Sequence, residues 1–235
     1  RTAAAAIAGV AAALVLGLAG TTCMASVAAR ERDIARVARD EARREADVAK
    51  ATADFVEGML SAPDPSTGAA GAATAREVRV VDVLQRAEKE LADLDDKPEV
   101  GAALRHTLAR SYHGLGLYKP AAALFERVIA DRRRSIGPTH PLTLAAQHDL
   151  ATTYRRLGDD RGLLLIRRTY QAREATLGPD HKDTIASLDE YANHTALNDL
   201  LGGERLTREA LARSRRTLGP DDRQTLVLIN NLVLT

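Results

Sequence analysis

Three segments of this chain repeat one pattern: Ile136-Gly-Pro-Thr-His-Pro-Leu-Thr-Leu144, Leu177-Gly-Pro-Asp-His-Lys-Asp-Thr-Ile185 and Leu218-Gly-Pro-Asp-Asp-Arg-Gln-Thr-Leu226. Their glycines, Gly137, Gly178 and Gly219, stand 41 residues apart each time, a period that belongs to stacked repeats rather than to one irregular core. Glycine closes a helix in a left-handed C-cap, the proline after it forbids continuation, and a short polar turn leads into the next helix. A second marker, Leu115-Gly116 and Leu157-Gly158, splits each period into two helices. Counted from each C-cap glycine, position +7 (Leu144, Ile185, Leu226) and position +13 (Leu150, Tyr191, Leu232) give the first helix its apolar stripe. Composition agrees: Trp is absent and aromatics are 3%, while Ala and Leu, the strongest helix formers, supply most of the apolar weight. The expected fold is all-α, with turns at 115–119, 136–141, 157–161, 177–182 and 218–222.

Leu108, Tyr112, Ala121, Phe125 and Val128 match the large and small positions that let paired helices of a tetratricopeptide repeat approach closely. The run Leu115-Gly-Leu-Tyr-Lys-Pro-Ala-Ala-Ala-Leu-Phe-Glu-Arg-Val128, continued through Ile136-Gly-Pro-Thr-His-Pro141, resembles the kinesin-light-chain type of that repeat. The resemblance covers residues 98–235 and implies an α-solenoid of three units plus a truncated fourth, with a period longer than the usual ~34 residues. The second unit is one residue short after Leu157. The third has Leu201-Gly202-Gly203 where the tight turn and small residue are expected. The last helix, from Asp222, is expected to lack its hairpin partner along Leu226, Ile229, Leu232 and Val233, and the chain reads as a fragment cut at both ends.

Ahead of the repeats, residues 2–29 carry no charge over 28 positions, more than the ~20 needed to cross a bilayer. They are expected to form a transmembrane helix (1–29) of a single-pass inner-membrane protein, in preference to a cleaved signal peptide. A charged helical stalk (30–61), a flexible Pro/Gly linker (62–75) and an amphipathic helix (76–97) are expected to follow. The stalk's thin apolar seam, broken at Glu41 and Arg44, leaves a coiled-coil homo-oligomer open. This order, with Phe55-Val-Glu-Gly-Met-Leu60 and Arg76-Glu-Val-Arg-Val-Val-Asp-Val-Leu84, resembles the C-terminal half of large bacterial serine/threonine protein kinases. The resemblance implies a kinase domain upstream and repeats outside the cytoplasm, although the stalk's basic residues argue the reverse orientation. A stand-alone membrane-tethered assembly factor is the alternative.

No catalytic motif is present: no Walker loop, no Gly-x-Ser-x-Gly and no His-Glu-x-x-His. No cofactor or metal is expected either. His140 and His181 occupy equivalent repeat positions with no ligand-type neighbour at metal spacing and read as turn residues. The single cysteine, Cys23, excludes a disulfide within the chain. A formal net charge of +1 removes the overall electrostatic footprint of a nucleic-acid binder. The partners expected are the bilayer, through residues 2–29, and a protein or peptide.

Repeats of this type line their inner face with the first helix of each pair, helix A. The register then places His106, Arg110 and His113 there from the first unit, and His148, Thr152, Arg155 and Arg156 from the second. The third contributes Asp189 and Asn193, and the fourth Asn230. Kinesin-light-chain repeats resemble this chain in an Asn pair at +11 and +12, kept here only as Asn230-Asn231, whereas His148-Asp149 and Asp189-Glu190 replace it earlier. The basic first half of such a groove suits an extended acidic segment, with Arg110, Arg155 and Arg156 offering charge-assisted hydrogen bonds.

Overall fold

The computed structural model describes residues 80–91 and 98–233, together with positions 39, 43, 46–50 and 53. The chain divides into two units, Arg1–Ala51 and Thr52–Thr235. In the first, the described positions are helical and, Val48 apart, exposed. The second holds eight described helices: α1 Val80–Glu90, α2 Pro98–Gly114, α3 Tyr118–Ser135, α4 Pro141–Leu157, α5 Arg161–Leu177, α6 Lys182–Ala196, α7 Leu200–Thr217 and α8 Arg223–Val233. No strand occurs among the described residues. Helices α2, α4, α6 and α8 are the A helices; α3, α5 and α7 are the B helices, and each helix packs on the next in chain order.

The expectation of a single-pass membrane protein is overturned: no helix among the described residues is long and apolar enough to cross a membrane. The longest of them, α3 and α7, have 18 residues, short of the ~20 mostly apolar residues a span needs. Each also carries seven charged side chains. The orientation drawn for the repeats falls with it. Residues 1–29 and the linker 62–75 lie outside the described residues.

The repeated punctuation has a physical meaning at each position. Gly137, Gly178 and Gly219 adopt φ of 96°, 89° and 94°, a region that costs a side chain ~1 kcal/mol or more. The residue three beyond each glycine caps the next helix: His140 Nδ1 accepts from Leu142 N at 3.2 Å, His181 Nδ1 from Asp183 N at 3.1 Å, and Asp222 Oδ1 from Gln224 N at 2.8 Å. A neutral imidazole nitrogen and a carboxylate thus do the same work on an orphan helix donor. The repeated threonine, six beyond the glycine, is fully buried. Thr143 Oγ1 donates to Gly137 O at 2.8 Å and Thr225 Oγ1 to Gly219 O at 2.7 Å, which closes the turn on itself. At the middle copy, Thr184 Oγ1 is buried without a partner.

The third hairpin departs from the sequence expectation. Helix α6 ends at Ala196 and α7 begins at Leu200, so the turn is 197–199, and Gly202 and Gly203 lie inside the first turn of α7. Asp199 sets the start by accepting from Gly202 N at 2.9 Å. Gly203 is small because α6 passes against it: a Cβ there would sit 2.5 Å from the Ala196 Cβ.

The core is not continuous. One apolar cluster joins Leu84 of α1 and Leu91 just beyond it with Leu104, Leu108, Tyr112, Phe125, Val128, Leu150 and Tyr154 of α2, α3 and α4. A second joins Ile185, Leu188, Leu206, Leu211 and Leu228 of α6, α7 and α8. Between them, α5 buries only Ile166 among its apolar side chains, and polar groups fill the seam. Thr169 Oγ1 donates to Gln147 Oε1 at 3.3 Å. The buried Arg173 Nη1 donates to Ser187 Oγ at 2.8 Å and to Asp183 O at 2.9 Å. Its repeat equivalent, Arg132, donates to Leu142 O at 2.7 Å. Each of these guanidiniums therefore ties the end of a B helix to the start of the following A helix.

Candidate peptide-binding groove

At the first two steps, α2–α4 and α4–α6, successive A helices approach one another more closely than successive B helices do, which puts the A layer on the inner side of the curve there. Polar pairs cross every A–A step. Between α2 and α4, His106 Nε2 meets Asp149 Oδ2 at 2.8 Å and His113 Nδ1 meets Thr153 Oγ1 at 2.9 Å. Between α4 and α6, Arg155 Nε donates to Glu190 Oε1 at 2.8 Å, and His148 Nδ1 lies 3.3 Å from Ser187 Oγ. Between α6 and α8, Asn231 Nδ2 donates to Asp189 Oδ1 at 3.0 Å.

The donors can be assigned. Arg132 Nη1 lies 3.3 Å from His106 Nδ1 and can only donate. His106 therefore accepts on Nδ1 and donates from Nε2 to Asp149. Thr153 gives its hydroxyl proton to Asp149 O at 2.7 Å, so His113 Nδ1 is the donor to Thr153. Ser187 Oγ accepts from Arg173 Nη1 and also meets His148 Nδ1.

Burial lowers the pKa of His113, and nearby Arg156 and Arg155 act in the same direction against Asp149 and Glu190. Burial likewise lowers His148, aided by the Arg173 charge. For Asp149, burial pushes upward, but the hydrogen bond and charge of His106, with His148 and Arg110, hold the carboxyl below its usual value. Asp189 behaves oppositely: burial raises it to about 6, and the neighbouring Glu190 adds to the rise against the pull of Asn231 and Arg155.

The ten residues drawn from the register therefore fall into three groups. His106, His113, His148, Arg155 and Asp189 are half-buried and spend their polar atoms on the neighbouring helix. Thr152 returns its hydroxyl to His148 O at 3.1 Å, and Asn193 reaches Asp189 at 3.5 Å. Arg110, Arg156 and Asn230 are exposed. Among the described residues, neither Arg110 nor Arg156 has an ion-pair partner. Sequence reasoning missed the buried Arg132 and Arg173 and the imidazole of His194, whose Nε2 lies 3.0 Å from Ala151 O. The spacing of the two arginines, 41 residues like the glycines, was a signal for that pair. No group of three or more His, Cys, Asp or Glu side chains able to hold a metal ion occurs among the described residues.

Residues 99–161 match one tetratricopeptide-repeat family model and residues 143–183 match another. No curated protein sequence matches. Among solved structures, a Podosopora anserina protein described as a kinesin light chain with nearly identical TPR-like repeats is 25% identical, with a TM-score of 0.54 over 66% of this chain and 74% of that one. A single-substitution form of that protein gives a TM-score of 0.55 at the same identity and coverage. BtubC (BKLC) from P. vanneervenii shares the fold at 15% identity, with a TM-score of 0.55 over 65% of this chain and 62% of that one. Nothing in these likenesses shows a kinase parent or a bacterial origin. Residues 99–183 thus carry tetratricopeptide repeats, within an all-helical solenoid whose structural neighbours are kinesin-light-chain-like.

Proposed function

We propose that this repeat array is a non-catalytic protein-interaction scaffold that holds an extended acidic segment of a partner against its A helices. The observation that carries the reading is the division of charge on that face. Asp149, Glu190 and Arg155 are committed to partners within the fold, while Arg110 and Arg156 stand exposed and without an ion-pair partner. The free charge of the α2–α4 half of the groove is cationic, and guanidinium forks match carboxylates geometrically. Arg155 has a different role from that expected of it: it joins α4 to α6 through Glu190 and is not free for a ligand.

The test is a pair of substitutions, Arg110→Ser with Arg156→Ser, in the full chain. Capture of an acidic peptide should weaken roughly tenfold and lose much of its salt dependence, while helix content stays unchanged. Unaltered peptide binding by that variant would remove the groove reading. The receptor-kinase parentage implied by the resemblance finds no support in the comparisons, and the scaffold reading stands without it.

A further inference from the structure

The fold sorts charge by layer. Helix α3 carries five cationic and two acidic side chains, α5 four and one, and α7 five and two, a formal +3 on every B helix. The A helices carry +1 on α2, +1 on α4, −2 on α6 and +1 on α8, with histidines neutral. A chain whose net charge is only +1 therefore concentrates its positive charge on one side. The burial pattern turns most of that charge outward, Arg132 and Arg173 being buried. The B helices bury their small and apolar residues, and Arg133, Arg167, Arg168, Arg205 and Arg215 are all exposed and without an ion-pair partner among the described residues. The three helices also form one continuous surface, because Arg161 of α5 reaches Glu126 of α3 at 3.4 Å and Arg213 of α7 reaches Glu174 of α5 at 3.0 Å.

We infer that this outer B-helix face is a second docking surface, separate from the groove, and that it takes an acidic protein surface. Five unpaired guanidiniums spread over three stacked helices make a potential whose complement is an array of carboxylates, not a single small anion. An acidic protein fits better than a nucleic acid for two reasons. No exposed aromatic stands among these arginines on which a base could stack. Glu126, Glu174, Glu204 and Glu209 also lie among the same cations, where a mixed protein surface can place a compensating Lys or Arg and a uniform phosphate backbone cannot. With the groove on the inner side and this face on the outer, the array holds two partners at once.

Binding of polyglutamate to the full 235-residue chain carrying Arg110→Ser and Arg156→Ser, which silences the groove and serves as the wild-type reference here, is measured across a salt series, beside double-stranded DNA. The variant Arg133→Ser, Arg167→Ser, Arg168→Ser, Arg205→Ser, Arg215→Ser is compared with the A-layer control Lys182→Ser, Arg223→Ser, and circular dichroism checks that both keep their helix content. Polyglutamate affinity should fall roughly tenfold or more in the outer-face variant, with a flatter salt slope, and hold in the control. Equal affinity in the outer-face variant and the wild type overturns the proposal, as does an equal loss in the control. Tighter binding of DNA than of polyglutamate at the same salt overturns the choice of partner. Should the five-fold variant lose helix content, Arg167→Ser with Arg168→Ser on α5 alone replaces it, with a several-fold loss of polyglutamate affinity expected and no loss counting against the surface.

Discussion

The repeated threonine gives one substitution with three different outcomes, each set by a single hydrogen bond. Thr143, Thr184 and Thr225 are equivalent by the 41-residue period and are all fully buried, so replacement by the isosteric Val changes little except the hydroxyl. At Thr143 that hydroxyl donates to Gly137 O at 2.8 Å; losing it should cost ~1 kcal/mol, the net value of one intramolecular hydrogen bond. At Thr225 it donates to Gly219 O and also lies 2.6 Å from the buried Ser214 Oγ. Valine there strands a second group, and the cost should approach ~2 kcal/mol. Thr184 Oγ1 has no partner, so Val removes a buried polar atom that was already unsatisfied and should stabilise by up to ~1 kcal/mol. Urea unfolding followed by circular dichroism, with the three variants at equal m, reads these differences directly. Destabilisation of similar size at all three sites would refute the reasoning, because side-chain shape and not hydrogen bonding would then be in control.

Asp189 is raised from an ordinary carboxyl value to about 6 in the folded state, so its contribution to stability is complete below the unfolded value of about 4 and is lost as pH rises through about 6. Asp189→Asn should stabilise the array by ~1–2 kcal/mol at pH ~7.5, with the advantage over wild type shrinking towards pH ~4; an advantage independent of pH would contradict this. Arg155→Ala leaves Glu190, which is 7% exposed, without its cation between α4 and α6, and should cost ~3 kcal/mol in a denaturation midpoint. The double variant with Glu190→Gln should recover much of that loss, and failure to recover would mean that the Arg155 stem, not the pair, was responsible. Gly162→Ala drives a methyl to within 2.4 Å of His194 Cε1, so it should destabilise by ~1–3 kcal/mol, and adding His194→Ala should relieve most of it.

The helices are legible in the sequence wherever the information is local. A left-handed glycine, a proline one residue on and a polar cap lie within five positions of one another, and the structure puts helix ends at 135–141, 177–182 and 217–223 where those residues stand. The third hairpin is misplaced by sequence because Leu201-Gly202-Gly203 looks like its marker. What sets the turn is the Asp199 carboxylate on the Gly202 amide, together with the demand for a residue without Cβ where α7 crosses Ala196. Both glycines are visible, but the contact that explains one of them comes from the preceding helix. Arg155 shows the same limit at the groove. Its register is readable from the period, but its partner Glu190 belongs to the next unit, and no local pattern says which of two adjacent arginines a neighbouring helix will claim.

Net charge misleads in a more general way, and the reason lies in how the repeat is built. Summed over the sequence, cations and anions nearly cancel, which reads as a surface with no preference for anions. A solenoid, however, repeats the position of each residue in space as well as in sequence, so a small excess on one helix of the unit is laid beside the same excess on the next. Three B helices at +3 each add to one another across adjacent helices, within reach of the ~8 Å screening length of physiological salt. Of their compensating acids, Asp159 and Asp180 pair with Arg161 and Arg216 at the ends of α5 and α7, and others sit elsewhere, on α6 and at turn residues such as Asp199 and Asp221. Scrambling the charges within the chain at constant composition would leave the sequence-level sum unaltered and abolish this segregation. For an array of this kind, the quantity that bears on partner choice is therefore the charge per helix of the repeating unit, and it becomes meaningful only once the helices have been assigned to layers.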